Sequence, residues 1–261
     1  MHTRIQAAQT AYRKGDVSAT RRLHDPHLIS KTLNEETHSQ FSLSQVILGG
    51  QDGLVNVLGV ILGIAAASGD PRIVIAGGLA ATLAESVSMG AVAYTSTIAE
   101  AEHYQSELKR EKWEIENHPD GEKEEIRQIY VKRGFSGQLL EDVVDKITHN
   151  KNVWLEVMMS EELKLQPVAK SQGVSSALIV GISALAGSLI PLFPFFIISL
   201  TPAVTISLII SALTLFLVGA YKASVTVGRW YRSGLELMII GIVSALVGYL
   251  VGLLFKAPMV P

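Results

Sequence analysis

No cysteine occurs among the 261 residues, which excludes disulfides, thiolate nucleophiles and Cys-ligated zinc or iron–sulfur centres. Neither sign of charge dominates. The 22 Lys and Arg against 24 Asp and Glu leave a formal net charge of -2, so no basic excess is available to neutralise a phosphate backbone, and nucleic acid is not expected as a partner. Charged residues make up only 18% of the chain against 48% apolar, and the mean hydropathy is +0.33. That balance is too apolar for an average soluble domain and points to a membrane protein. A cleavable secretory signal is not expected either: the first 40 residues are polar and carry Arg4, Arg13, Lys14, Arg21 and Arg22 with no apolar core to the segment. Residues 1–43 read as a polar leader of unassigned function.

The apolar residues are gathered into long runs. Residues 46–68 and 73–98 flank the turn Gly69-Asp70-Pro71-Arg72, and three more runs cover 173–196, 201–221 and 233–255. Each approaches the roughly 20 residues that cross a bilayer as a helix. The predicted fold class is therefore all-α, a polytopic membrane protein with five transmembrane helices: helices one and two within 44–98, helices three to five within 171–261. The intervening segment, 99–170, is different in kind. Between Ile98 and Lys170 lie sixteen of the 24 acidic and eleven of the 22 basic residues. Lys222, Arg229 and Arg232 lie in the loop between spans four and five, whereas Arg72 is alone between one and two. The positive-inside bias then places the amino terminus and the charged segment in the cytoplasm.

The charged segment reads as helical. Residues 100–117 and 122–133 mix strong helix formers with apolar positions around the turn Asn117-His118-Pro119-Asp120-Gly121, and two further helices are expected, one starting at Ser136 and one at Asn152 that carries on past Leu163. Glu111 with Glu114, and Glu122 with Glu125, form E-x-x-E pairs on either side of the turn. Each pair shows two carboxylates on one helix face, and a hairpin would bring four together, as hard or borderline divalent cations require. Met158, Met159 and Glu162 add thioethers beside a carboxylate, a softer donor set suited to transition metals. On the residues alone, a solvated acidic face and a gap-filling methionine pair are the better readings. Within the spans, Asp52 lies near the charged end of span one, where it also suits a residue that merely ends a helix. Glu85 lies near the middle of span two, one turn before Met89. A carboxylate in hydrocarbon marks an ion or proton path by default. Small residues four apart, Gly59 with Gly63, Ser183 with Gly187 and Gly248 with Gly252, suit close helix approach. Five spans make a thin bundle for enclosing a polar path, which favours a homodimer sharing it.

From about Gln45 to Leu254 the sequence resembles the vacuolar iron transporters. The resemblance is carried by Asp52-Gly53-Leu54, Ser88-Met89-Gly90, His103-Tyr104, Lys109-Arg110-Glu111, Trp154-Leu155, Met158-Met159, Glu162-Leu163, Pro191-Leu192 with Pro194, and Arg232-Ser233. It implies a homodimer of five-span subunits with a cytoplasmic helical metal-binding domain between spans two and three. It also implies export of Fe2+, with Mn2+ as a second cargo, from the cytosol in exchange for protons, with no prosthetic group. By position it implies metal binding by Glu111, Glu114, Glu122, Glu125, Met158, Met159 and Glu162, and a membrane pathway lined by Asp52 and Met89, reversing both bland readings. Where members of that family carry glutamates two turns before the span-two methionine and just after it, this chain has Ala81 and Ala93. Glu85 is expected to substitute from the same helix face. The membrane would be the plasma membrane of a prokaryote or the vacuolar membrane of a eukaryote. Two alternatives differ in class. A membrane-anchored di-iron enzyme is suggested by the E-x-x-H matches Glu35 to His38 and Glu100 to His103, together with the E-x-x-E pairs, and a metal sensor would bind without transport. His24 and His27 form a loose pair in the leader, read as solvated.

Overall fold

A computed structural model of the chain describes residues 4–25, 38–225 and 229–256, and among these every regular element is helical. The chain divides into two compact units, 1–44 and 45–261. In the first, the leader forms two short helices that its polar composition did not announce, α1 (Arg4–Lys14) and α2 (Val17–Leu23). Gly15 supplies the left-handed turn at φ +64°, and Asp16 caps α2 by accepting from the Ala19 backbone N–H at 2.9 Å.

Five helices are long and apolar enough to cross a membrane, and the chain is a multi-pass membrane protein. They are α3 (His38–Ser68), α4 (Pro71–Asn117), α8 (Gln172–Leu192), α9 (Leu200–Val225) and α10 (Trp230–Leu254). Between α4 and α8 come α5 (Pro119–Lys132), α6 (Gly137–Thr148), α7 (Lys151–Val157) and a π-helical turn over Met158–Glu162. The α3–α4 turn works as its sequence suggests: Gly69 takes φ +66°, Asp70 accepts from the Arg72 N–H at 2.8 Å, and Pro71 opens the helix.

Three boundaries differ from expectation. The break expected near Ile98 is absent, and α4 runs unbroken for 47 residues, about 70 Å at the α-helical rise. No glycine or proline lies between Ala91 and Asn117 to stop it, so the change from apolar to charged composition alters only what surrounds the helix. Pro191 does not end its span but sits inside α8, which tightens into a 3-10 turn at Phe193–Phe196; the Pro191 carbonyl accepts from the Ser207 hydroxyl at 2.6 Å. The last helix of the charged segment starts two residues earlier, with Asn150 rather than Asn152 as its cap, accepting from the Asn152 N–H at 3.0 Å. It gives way to the π-turn at Met158. Residues 226–228 of the loop after α9 lie outside the described residues.

Glycine contacts set how the spans pack. A Cβ on Gly49 or Gly53 would meet the Val180 or Ala184 carbonyl oxygen of α8 at 2.4 Å, and one on Gly187 would meet the Gly50 oxygen at 2.0 Å. Further along α3, Gly63 faces Gly248, and Cβ atoms on Gly248 and Gly252 would lie 2.1 Å from the oxygens of Gly59 and Gly63. Both registers rise together, so α3, α8 and α10 are parallel. Gly78 against Leu192 and Gly90 against Ala177, like Gly219 against Ser233, show that α4 and α9 run the other way. The start of α8, the end of α9 and the polar helices α5–α7 therefore share one end of the bundle. Backbone contact this close leaves no room for a side chain. Gly248→Val is expected to separate α3 from α10 and cost more than about 3 kcal/mol, read as a lowered thermal midpoint or as aggregation of the detergent-solubilised protein. Apolar side chains such as Val87, Ile182 and Ile209 project outward and stay exposed in the isolated chain, as lipid-facing positions do.

Candidate functional site

Two groups of acidic residues stand out, one at the polar end of the bundle and one inside it. At the polar end, Pro119 starts α5 immediately after α4 ends, with Asp120 and Glu122 in the first turn where the helix dipole favours acids. The reversal folds α5 back on α4. Ile115 and Ile126 are both buried in a core completed by Leu140, Val144, Ile147, Trp154 and Met158. One turn before each isoleucine lies a buried glutamate, Glu111 at 1% exposure and Glu122 at 6%. The apolar pair thus sets the register that drives the two acids together. Glu111, Glu114 and Glu122 each offer a carboxylate oxygen within 4.8 Å of the others, a spacing that could hold a metal ion. Glu111 Oε2 and Glu122 Oε2 are buried without a hydrogen-bond partner, an arrangement that costs free energy unless a cation or proton joins it.

The π-turn Met158–Glu162 packs against both α4 and α5. Its extra residue per turn brings Met158 and Met159 to buried positions, and Glu162 reaches the Glu125 carboxyl. Arg133 bonds Glu161 and lies over the Tyr130 ring, which ties the turn to the end of α5. Lys164, just beyond, takes φ +58°. Burial, reinforced by Glu125, Glu111, Glu114 and Glu162, pushes the Glu122 carboxyl up to about 7. Desolvation, then the charges of Glu125 and Glu111, pushes Glu162 up to about 7 as well. Carboxyls held above their ordinary 4.5 stabilise the metal-free fold in protonated form; that contribution is complete below about pH 4.5 and is lost as pH rises through about 7. The thermal midpoint of metal-free protein should accordingly fall between about pH 5 and about pH 8. Saturating Mn2+ should remove that fall, as differential scanning fluorimetry would show.

Inside the bundle, Asp52 does not end a helix: α3 begins at His38 and passes through it. The Glu85 carboxyl adjoins that of Asp52 and accepts from Asn56 Nδ2 at 3.1 Å. Met89 is half-buried one turn further along α4. Asn56 was missed in the sequence, although its position four residues after Asp52 puts it on the same face. Ala81 packs against the apolar core of the bundle, and the Ala93 carbonyl accepts from Thr97. The two acidic groups are separate: 26 residues of α4 between Glu85 and Glu111 span about 39 Å.

Among the described residues, no histidine joins a group that could hold a metal ion. Glu35 and His27 lie outside the described residues, as does the side chain of His38. Glu100 and His103 are exposed, and no histidine joins the acidic cluster among the described residues. His24 bonds the Thr20 carbonyl at 2.8 Å, and His118 meets the Trp113 ring edge-to-face.

Five apolar helices, a carboxyl pair between the first two, and a buried acid cluster at the far end of the second describe a multi-pass membrane protein with acids spaced so that they could hold a metal ion. The VIT family profile matches residues 43–253, and the chain belongs to that family. Relatives named vacuolar iron transporter include one from Plasmodium berghei, 30% identical over 97% of both chains, and one from Plasmodium falciparum, 30% identical over 95% of both. Vacuolar iron transporter 1 of Oryza sativa subsp. japonica is 34% identical over 78% of this chain and 81% of its own length.

Proposed function

We propose that the protein carries Fe2+, with Mn2+ as a second cargo, out of the cytosol in exchange for protons. In this reading residues 99–170 form a cytoplasmic metal-binding domain. Glu111, Glu114, Glu122, Glu125 and Glu162 supply oxygen donors and Met158 and Met159 supply thioethers, a mixed set that suits a borderline divalent transition metal. The observation that carries the reading is the pair of unpartnered, buried carboxylate oxygens on Glu111 and Glu122, the first of which lies on the same unbroken helix, α4, as Glu85. The ion passes from that cluster to Asp52, Glu85 and Met89. A carboxyl pair there accepts either a cation or a proton, which is the chemical requirement for exchange.

The relatives' names support iron as cargo. Asn56 is exposed on the isolated chain and Asp52 and Glu85 are only half-buried, a polar stripe that is costly against lipid. A second copy of the chain laid across α3 and α4 covers it, which supports a homodimer sharing one pathway. The test is metal-driven proton movement in liposomes containing only this protein: Fe2+ or Mn2+ added to one side should move protons to that side. Tight metal binding with no flux would overturn transport and select a sensor.

A further inference from the structure

The acidic cluster holds a cation of its own. Arg110 pairs through Nη2 with Glu111 Oε1 at 2.6 Å, and donates from Nη1 to Glu114 Oε2 at 2.5 Å and from Nε to Glu107 Oε2 at 2.9 Å. Three nearby cations are committed elsewhere: Arg127 to Glu124 and Glu141, Lys123 to Asp145, Arg133 to Glu161. Glu111 is therefore split, with Oε1 on the guanidinium while Oε2 is buried and unpartnered, as is Glu122 Oε2. Two of the three clustered glutamates, Glu111 and Glu114, are the two that Arg110 occupies.

We propose that Arg110 is the resident counter-ion of the empty cluster, and that a divalent cation loads by taking Glu111 and Glu114 from the guanidinium, which stays moored to Glu107. The inference rests on the metal-site reading above. A fixed positive charge on the ligands opposes a second one, so Arg110 weakens binding and speeds release, as a carrier requires and a storage site does not. Glu107, one turn before Arg110 on α4, is the mooring that makes displacement inexpensive. Arg110 stays 44% exposed at its side chain, so it can swing without unpacking a core.

Mn2+ titration of the full-length protein in lipid nanodiscs by isothermal calorimetry, with stopped-flow release into chelator, tests this. Arg110→Gln should bind Mn2+ about tenfold more tightly and release it more slowly. Arg110→Lys, which keeps the charge, should stay within about threefold of wild type. Glu107→Gln should weaken binding, and most of that effect should vanish in the Arg110→Gln background if Glu107 acts through the guanidinium. Unchanged or weaker binding by Arg110→Gln, tightening by Arg110→Lys equal to that of Arg110→Gln, or an undiminished Glu107→Gln effect in the double variant would each overturn the proposal. The metal-site reading has its own control: if wild type binds no Mn2+, or Glu122→Gln leaves binding untouched, that reading fails and this inference falls with it.

Discussion

Asp52→Ala is expected to reduce metal-driven flux in proteoliposomes to that of protein-free vesicles while leaving Mn2+ binding at the polar end within about twofold of wild type. The two acidic groups lie about 39 Å apart along α4, far beyond direct interaction, so a lesion at one should be silent in the binding behaviour of the other. Asp52 faces Glu85, and Asn56 donates to Glu85 rather than to Asp52. Removing Asp52 therefore leaves one carboxylate and an amide, too few charges to draw a dication out of water. Asn56→Ala removes a neutral donor and should slow flux by less, about tenfold at most. Full flux from Asp52→Ala would show that the ion does not cross between α3 and α4.

The second large effect is expected from Glu111→Gln combined with Glu122→Gln. These are the clustered acids buried almost completely, and each carries an unpartnered oxygen. Mn2+ affinity should fall at least about a hundredfold, because two of the anionic donors become neutral amides. Stability should move the opposite way. Glu122 bonds no cation and sits among Glu111, Glu114, Glu125 and Glu162, so neutralising it relieves burial and repulsion together, and Glu122→Gln alone should raise the thermal midpoint of metal-free protein at about pH 8. Wild type should gain about 2.7 kcal/mol from metal at a hundred times Kd; the double variant, weakened at least about a hundredfold, should gain about 0.4 kcal/mol or less at the same concentration. Equal metal-induced shifts in both proteins, by scanning fluorimetry, would place the ion elsewhere.

Much of this arrangement is legible in the chain because hydropathy and helix-face spacing are both local properties. The five apolar runs coincide with five helices, and three of the four E-x-x-E glutamates, Glu111, Glu114 and Glu122, come within 4.8 Å of one another. What escaped detection depended on partners remote in sequence or on the backbone itself. Asn56 matters only because Glu85 comes alongside from the next helix. Arg110, by contrast, has Glu107, Glu111 and Glu114 within one turn on α4, and reads as one more surface cation only because the sequence does not show that Glu111 is buried. The π-turn at Met158–Glu162 has no compositional signature, since it arises where α7 must fit against two helices at once. Pro191 looks like a turn residue because it lacks an N–H, yet it sits in the last turn of α8, where the chain tightens into a 3-10 turn and the Ser207 hydroxyl bonds its carbonyl. The two leader helices lack an apolar stripe wide enough to declare them.

The unbroken α4 also has a mechanical consequence. A helix without glycine, proline or π-bulge beyond Gly90 has no hinge to absorb rotation, so its two ends move as parts of one rod. Tilting that rod by about 5° at the depth of Glu85 swings Glu111 through about 3 Å, comparable to the reach of a single ligand bond. Small angular play among the membrane helices would thus carry the whole acid cluster sideways by that distance while leaving its internal spacing intact, because α5 and the π-turn are packed on the same rod.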